Sequence, residues 1–207
     1  MIDLLRARRS IREYSDRPIE PEKMELLKEA ALRSPSSRNI DPWEFVFVDD
    51  RQLLKKLSRC KPHGADFLEQ AALGIVVCAD GQASDVWVED CSIAAILVQM
   101  VAQSIGLGSC WVQVRNRMYD GAMSSERYIQ TLLGLPAHLA VECIVAAGYP
   151  AEHREPLPKE SLKVSKIRMN GAMRTSLWSH SCPRATTRTE KDMRSSQPSC
   201  SRGFTEA

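Results

Sequence analysis

The chain has 207 residues, of which 43% are hydrophobic and 26% are charged, and its formal net charge is +2. This composition is that of an ordinary globular domain, and it excludes disordered, fibrous and membrane-spanning chains, since no run of 18 uncharged apolar residues occurs. Because nucleic-acid binding needs a clustered basic face, a chain this close to neutrality predicts no nucleic-acid partner.

The first twelve residues are charged and do not have the apolar block of a secretory signal, so we expect a cytoplasmic protein. The cysteines agree with this expectation. Seven widely spaced cysteines without a CxxC pair predict neither a disulfide framework nor a structural zinc site. Cys78 and Cys143 lie inside apolar runs and are interpreted as small core residues.

An arginine cluster closes the first segment, where Arg8-Arg9-Ser10-Ile11-Arg12 brings three guanidinium groups and a hydroxyl within five residues. Arginine forks match phosphate oxygens in bidentate geometry, and the hydroxyl is a further donor, so the cluster indicates a phosphate site. The alternative is a solvated helix end, with arginines near the negative end of the helix dipole.

A helix is predicted to begin at Glu20-Pro21-Glu22, with Pro in its first turn, and to end before Pro35. The loop that follows, Pro35–Pro42, is rich in hydroxyl and amide groups. Such groups can recognise the polar edge of a flat heterocycle, and Trp43 would add apolar surface. A plain surface loop is the alternative, since Pro, Ser, Asn and Asp dominate turns for local reasons.

Apolar runs alternate with helical segments through the rest of the body, which predicts a mixed α/β or α+β sandwich. The predicted strands are Phe45–Val48, Leu73–Cys78, Ser109–Val114 and Leu139–Ala147. The first two are apolar without alternation, which predicts a sheet covered on both faces. Between the strands, a helix capped by Asp49-Asp50 is expected to reach Leu57, and another is expected over Ser124–Leu133.

The longest predicted helix spans Asp85–Ile105, and its apolar residues surround the axis. It is therefore expected to be buried nearly all round, either as the central core element or as half core and half subunit interface. Gly106 is expected to end this helix as a C-cap.

The sequence has no GxGxxG, GxxxxGK[ST], HExxH or GxSxG motif, so Rossmann dinucleotide folds, P-loop enzymes, zincins and α/β-hydrolases lose their usual support. The four histidines lie scattered in predicted loops, with no helical pair that could clamp a metal. Cys110 has no His nearby in sequence and is not expected to be a nucleophile. A bound cofactor is therefore expected to carry any chemistry.

Four stretches, taken in their order along the chain, resemble the FMN-dependent nitroreductase family over about residues 1–170. They are RRSIREY, PSSRNIDPW, EDCSIAAILVQMVAQSIGLGSCW and AAGYP. Among its members, the chain is most similar to the short, compact ones. The resemblance implies an α+β fold, a three-layer α/β/α sandwich whose central, mostly antiparallel sheet of four to five strands has helices on both faces. It further implies a tight homodimer with one FMN in each of two clefts at the subunit interface.

The resemblance also assigns cofactor contacts, but no catalytic residue and no metal ligand, because FMN carries the chemistry. The phosphate, ribityl chain and pyrimidine side of FMN would be held by Arg8, Arg9, Ser10 and Arg12. The isoalloxazine would be lined, from the partner chain, by Pro35, Ser36, Ser37 and Asn39. Where the family's strand passes the flavin, mainly backbone contacts would be made by Cys110, Trp111 and Gln113. In KVSKIRMNG, the residues that would reach the phosphate are Lys166 and Arg168.

The implied activity is that of an NAD(P)H-dependent FMN oxidoreductase working by a ping-pong mechanism. NADH or NADPH would reduce bound FMN, and a nitroaromatic, quinone or similar electron-poor small molecule would then reoxidise it. The alternative is a flavin-binding protein with a storage or sensing role and little turnover.

Two features depart from the family pattern. Asp41 stands where many relatives carry Gln, and a carboxylate near the flavin edge would disfavour the anionic reduced ring. Residues 172–207 contain six basic and three acidic side chains, are rich in Ser and Thr, and have no apolar period. We therefore expect an FMN-binding domain over residues 1–171 and a disordered tail over residues 172–207.

Overall fold

The computed structural model describes residues 1–173, and the expected disordered tail lies outside the described residues from position 174 on. Met1–Ser161 form one compact unit, and a second unit begins at Leu162. The predicted domain of residues 1–171 thus extends from the first unit into the second. Among the described residues, no helix combines the length and the apolar character needed to cross a membrane.

Apart from a short first helix for which no range was predicted, the helices and strands of the first unit lie close to the predicted ranges. They are α1 (Ile2–Ala7), α2 (Pro21–Leu32), β1 (Trp43–Val48), α3 (Arg51–Leu57), β2 (Leu73–Asp80), α4 (Trp87–Ser104), β3 (Gly108–Gln113), α5 (Ser125–Leu133) and β4 (Leu139–Gly148), with short 3₁₀ turns at Ser37–Asn39, Asp66–Glu69 and Lys159–Ser161. Local signals set their ends as predicted. The Asp50 carboxylate accepts a hydrogen bond from the Leu53 N–H at 2.8 Å and caps α3. Gly106, with a φ of 79°, follows the end of α4.

The four strands form one antiparallel sheet in the order β1-β2-β4-β3. β2 and β4 are the central strands, and Leu73–Ala79 of β2 is buried at every residue. This arrangement confirms the predicted sheet and its coverage on both faces. It leaves β1 and β3 as the edge strands.

Helices cover the two faces of the sheet in pairs. On one face, α2 and α4 pack against the strands through Leu27, Ala31, Ala94, Ala95 and Val98, with Ile75, Val77 and Val145 opposite them. On the other face, α3 and α5 contribute Leu54, Leu57 and Ile129, which pack on Val76, Val112 and Ile144. The predicted α+β three-layer sandwich is therefore confirmed.

The helix α4 is not buried all round within one chain, which corrects the first of the two expectations for it. Its inner side, including Cys91 and Val98, is fully buried against the sheet. Ile93 and Ile96, however, are 41% and 38% exposed. The sheet covers only one side of the helix, so apolar residues on the other side are left exposed within one chain.

The chain segment after α1 runs beside the first residues of β3 and covers only that part of the sheet edge. Ser10 forms a parallel bridge with Ser109, and the Ile11 N–H donates to the Ser109 carbonyl at 3.0 Å. Gly108 makes this approach possible, because a Cβ at that position would lie 2.8 Å from the Cβ of Ile11. The buried Tyr14 hydroxyl donates to the Ile11 carbonyl at 2.7 Å and fixes the segment from its far end.

The second unit contains a 3₁₀ turn, Val164–Lys166, and a two-stranded hairpin as far as it is described. Strand β5 (Arg168–Met169) pairs antiparallel with β6 (Ala172–Met173). Asn170 and Gly171 connect them with φ values of 52° and 81°, as expected for a tight hairpin turn.

We expect Gly108→Ala to lower the free energy of unfolding by about 1–3 kcal/mol, because the new methyl group has no room beside Ile11. Gly121→Ala is the matched control, since nothing lies within 4 Å of a Cβ built at Gly121. Thermal and urea unfolding measure both variants. Equal stability of the two would contradict the close packing of the N-terminal segment on β3.

Candidate functional site

Four arginines and a serine surround one depression on the surface of the first unit. The lining residues of this arginine depression, which has a volume of about 310 Å³, are Arg8, Arg9, Ser10, Arg12 and Arg154. Every one of these side chains is a hydrogen-bond donor, and four carry a fixed positive charge. The four residues that the sequence analysis selected from the N-terminal cluster therefore lie together, in a site suited to a phosphate group.

The alternative of a solvated helix end applies to Arg8, which is the C-cap of α1 and donates its N–H to the Leu4 carbonyl at 2.8 Å, but not to the residues after it. Helix α1 ends at Ala7, and its last turn carries Arg6, which pairs with Asp3 at 2.9 Å. Arg8 already has an extended backbone, with φ −63° and ψ 131°. From Arg9 on, the cluster thus lies beyond the helix, where Ser10 and Ile11 pair with Ser109 of β3.

Glu152 binds two of the residues that line the arginine depression. Its carboxylate accepts hydrogen bonds from the Arg12 backbone N–H at 2.5 Å and from the Arg154 side-chain Nε at 2.7 Å. The Arg12 N–H and then Arg154 hold the pKa of the Glu152 carboxyl below its usual range. Arg154 escaped the sequence analysis because it follows the last strand in a loop, with no motif and more than 140 positions from Arg12.

The outer edge of β3 offers backbone groups next to the arginine depression. Beyond Ser109, no other described strand pairs with this edge. Since the Ser109 carbonyl faces outward to Ile11, the two-residue period of the strand turns the backbone groups of Trp111 and Gln113 outward as well. Their side chains are occupied, because the Trp111 Nε1 donates to the Gln113 Oε1 and the Gln113 Nε2 donates to the Arg115 carbonyl, each at 2.9 Å.

Cys110 lies between these residues as a buried thiol. Its side chain is 2% exposed, and burial raises its pKa, with Arg12 and Ser10 partly offsetting the effect. A thiol held in its protonated form is a poor nucleophile. The structure therefore supports a packing role for Cys110.

Lys61 is a further cation near this thiol that the sequence analysis missed. Burial lowers the pKa of its ammonium group, while Cys60 raises it. Against the larger effect of burial, the positive charge of Lys61 lowers the pKa of the Cys110 thiol, as do those of Arg12 and Arg8. No motif marks Lys61, which lies in an irregular loop before Gly64.

The loop Pro35–Pro42, called the serine loop below, has a strained backbone. Arg38, Asn39 and Asp41 have φ values of 53°, 54° and 52°, in the left-handed region that non-glycine residues rarely adopt. Each costs of order 1 kcal/mol and persists only where the surroundings fix it. Two bonds inside the loop contribute, because the Ser36 Oγ donates to Asp41 Oδ1 at 2.6 Å and the Asp41 N–H donates to the Ser36 Oγ at 2.9 Å. The Asp41 carboxylate is thus bound within the loop.

Trp43 does not supply surface to this loop, contrary to the sequence-based interpretation. It is 9% exposed and packs in the core with Leu27 of α2 and with Phe45, whose ring lies 5.2 Å away. The reason is that Trp43 begins β1, where its side chain falls under α2. Pro35, Ser36, Ser37 and Asn39 remain the loop residues available to a ligand.

The serine loop and the arginine depression lie at opposite ends of α4 within one chain. The Ser37 N–H binds Asp90 in the first turn of α4, whereas Ile11 binds Ser109, just beyond its last turn. About 20 Å of helix separates Asp90 from the end of α4. One chain therefore does not bring these two sets of predicted residues together. Lys166 and Arg168 lie in the second unit, and their contact with a phosphate stays a prediction.

Comparisons with known proteins agree on one family. The model of the Nitroreductase family matches residues 5–61 and 58–149. An FMN-dependent nitroreductase structure from Clostridium difficile is 44% identical, with a TM-score of 0.82, over 83% of this chain and 100% of that one. A protein from Archaeoglobus fulgidus named NADH dehydrogenase/NAD(P)H nitroreductase is 39% identical over 74% of this chain and 87% of its own length. The FMN reductase [NAD(P)H] of Bacillus subtilis is 26% identical over 82% of this chain and 75% of its own length.

Proposed function

The chain belongs to the nitroreductase family, and from this premise we propose that it is an NAD(P)H-dependent oxidoreductase whose cofactor is FMN. Bound FMN would supply the redox chemistry, in which a hydride from NADH or NADPH would reach a nitroaromatic, quinone or similar acceptor in two ping-pong half-reactions. The relatives named as FMN and NAD(P)H enzymes support the cofactor and the donor. The observation that carries the proposal is the arginine depression beside an open strand edge.

The donor chemistry of the site fits FMN. A phosphate offers only acceptor oxygens, and the arginine depression offers only donors, with Glu152 already occupied by Arg12 and Arg154. A flavin ring has donors and acceptors along its edge, and the backbone of Trp111 and Gln113 provides both kinds of group. Lys61 adds positive charge on the same side as Cys110.

The protein residues bind and orient in this proposal, and none needs to transfer a proton. Arg8, Arg9 and Ser10 hold the phosphate and ribityl chain, while Arg12 lies on the pyrimidine side. Trp111 and Gln113 position the ring through their main chain, with Cys110 packed behind them. Fixed positive charge near the ring favours its reduced, anionic form. The acceptor is selected by the shape and potential of the cleft.

A homodimer completes the site in the same proposal. The serine loop lies about 20 Å along α4 from the arginine depression of its own chain, so the loop beside each depression comes from the partner. Ile93 and Ile96, exposed on α4, supply the apolar surface for the second copy. Pro35, Ser36, Ser37 and Asn39 then face the cofactor of the other subunit.

Anaerobic reduction tests the proposal directly. The purified protein should carry or take up FMN, and NADH or NADPH should remove its visible flavin absorbance, which a quinone or nitroarene should then restore. A colourless protein that takes up no added FMN would contradict the proposal. Bound flavin that neither nicotinamide reduces would instead indicate a storage or sensing protein.

Arg9→Ala should weaken FMN binding at least about tenfold, because a charge-assisted hydrogen bond is worth roughly 1.5–3 kcal/mol. Fluorescence titration of the apoprotein with FMN measures the affinity. Arg6→Ala is the control, since Arg6 pairs with Asp3 on α1 and does not line the depression. Equal affinities for the Arg9 variant and the parent would show that the phosphate lies elsewhere.

Ile96→Glu should shift the protein from dimer to monomer and weaken FMN binding at the same time, because a carboxylate would be buried in the interface. Sedimentation velocity gives the oligomeric state. Met118→Glu is the control, since Met118 is also exposed, at 50%, but lies in the loop before α5. A stable dimer of the Ile96 variant would rule out this face of α4 as the interface.

A further inference from the structure

Asp90 is a buried carboxylate in the first turn of α4 that holds the serine loop. It is 3% exposed. Its Oδ1 accepts the Ser37 N–H at 2.9 Å, and its Oδ2 accepts the Ser84 hydroxyl at 3.3 Å. Both carboxylate oxygens are thus bound to uncharged groups. The positive end of the helix dipole favours a carboxylate at this place.

Helix capping alone does not account for this burial. Glu89 is next to Asp90 in the same first turn, and its exposed carboxylate already interacts favourably with the positive end of the helix dipole. Burying a second carboxylate costs free energy unless hydrogen bonds compensate for the lost hydration. The bond to Ser84 stays within the turn that leads into α4, whereas the bond to Ser37 connects positions 53 residues apart.

The serine loop needs an external restraint because of its backbone. Three of the four residues after Ser37 have left-handed φ values, and such a conformation persists only when its surroundings fix it. The bonds between Ser36 and Asp41 close the loop on itself but do not attach it to the body. The Arg38–Asp85 pair does attach it, at 2.8 Å, but its side chains are 67% and 81% exposed. Exposed pairs contribute little. The Asp80 N–H donates to the Pro42 carbonyl at 3.1 Å, but only at the last residue of the loop, so Asp90 is the principal attachment of the residues before it.

We propose that Asp90 is a positioning residue that fixes the serine loop in its binding conformation before the cofactor arrives. This inference rests on the proposed function, in which Ser36, Ser37 and Asn39 line the FMN of the partner subunit. A serine loop that is already ordered loses less conformational entropy when the cofactor binds. It therefore binds the cofactor more tightly than a mobile loop with the same contacts. Asp90 acts through Ser37 and does not touch the cofactor.

Hydrogen exchange and FMN titration of the same variants test the proposal. In the apoprotein, Asp90→Ala should speed amide exchange of a peptide covering Ser36–Ile40 at least about tenfold, and it should weaken FMN binding by a similar factor. Asp90→Asn keeps an acceptor for the Ser37 N–H and should give intermediate values. Glu89→Gln is the matched control, because it removes one carboxylate charge from the same helical turn and leaves the bond between Asp90 and Ser37 in place.

Exchange of a peptide covering β2 serves as an internal measure of overall stability. If it rises as much as that of the loop peptide in both Asp90 variants, the role is structural and the proposal is wrong. Unchanged loop exchange would also overturn it, as would a loosened loop with unchanged FMN affinity. If the parent protein binds no FMN, the proposed function fails, and with it the role toward the cofactor, while loop exchange still decides whether Asp90 holds the loop.

Discussion

The length of α4 is the constraint on which the arrangement of the site depends. Its first turn holds the serine loop through Asp90, and beyond its last turn Gly108 admits the segment that carries the arginines. A stiff helix of about 20 Å between these points prevents one chain from closing both groups around a small molecule. The exposed apolar residues of α4 lie between its two ends, where a second copy would contact them.

The site is built from groups whose charge is fixed before any ligand binds. Arginine does not lose its proton in proteins, and Glu152 binds the Arg12 backbone N–H and orients the Arg154 side chain. Burial keeps Cys110 protonated, and the Gln113 amide is bound to its neighbours. Such a site binds and orients, and it leaves electron transfer to a cofactor. This division agrees with a sequence that shows no acid, base or nucleophile motif.

Sequence reasoning succeeded where the signal is local and failed where burial depends on distant partners. Asp50 caps the start of α3 and Gly106 follows the end of α4, as predicted. Arg8, Arg9, Ser10 and Arg12 line one depression. Arg154 and Lys61 were missed because they lie in loops without a motif. Trp43 was misplaced, since its position in a polar loop motif says nothing about the helix that covers it.

The sequence by itself determined the strands, the helices and their ends, and the cationic character of the N-terminal segment, because periodicity, capping and charge are properties of neighbouring residues. Only the tertiary structure decided that Ser10 pairs with Ser109, that Asp90 reaches Ser37, and that one side of α4 stays uncovered. These contacts join residues as far as 53 or 99 positions apart. Their register follows from how the helices and strands pack in three dimensions, and no local pattern encodes it.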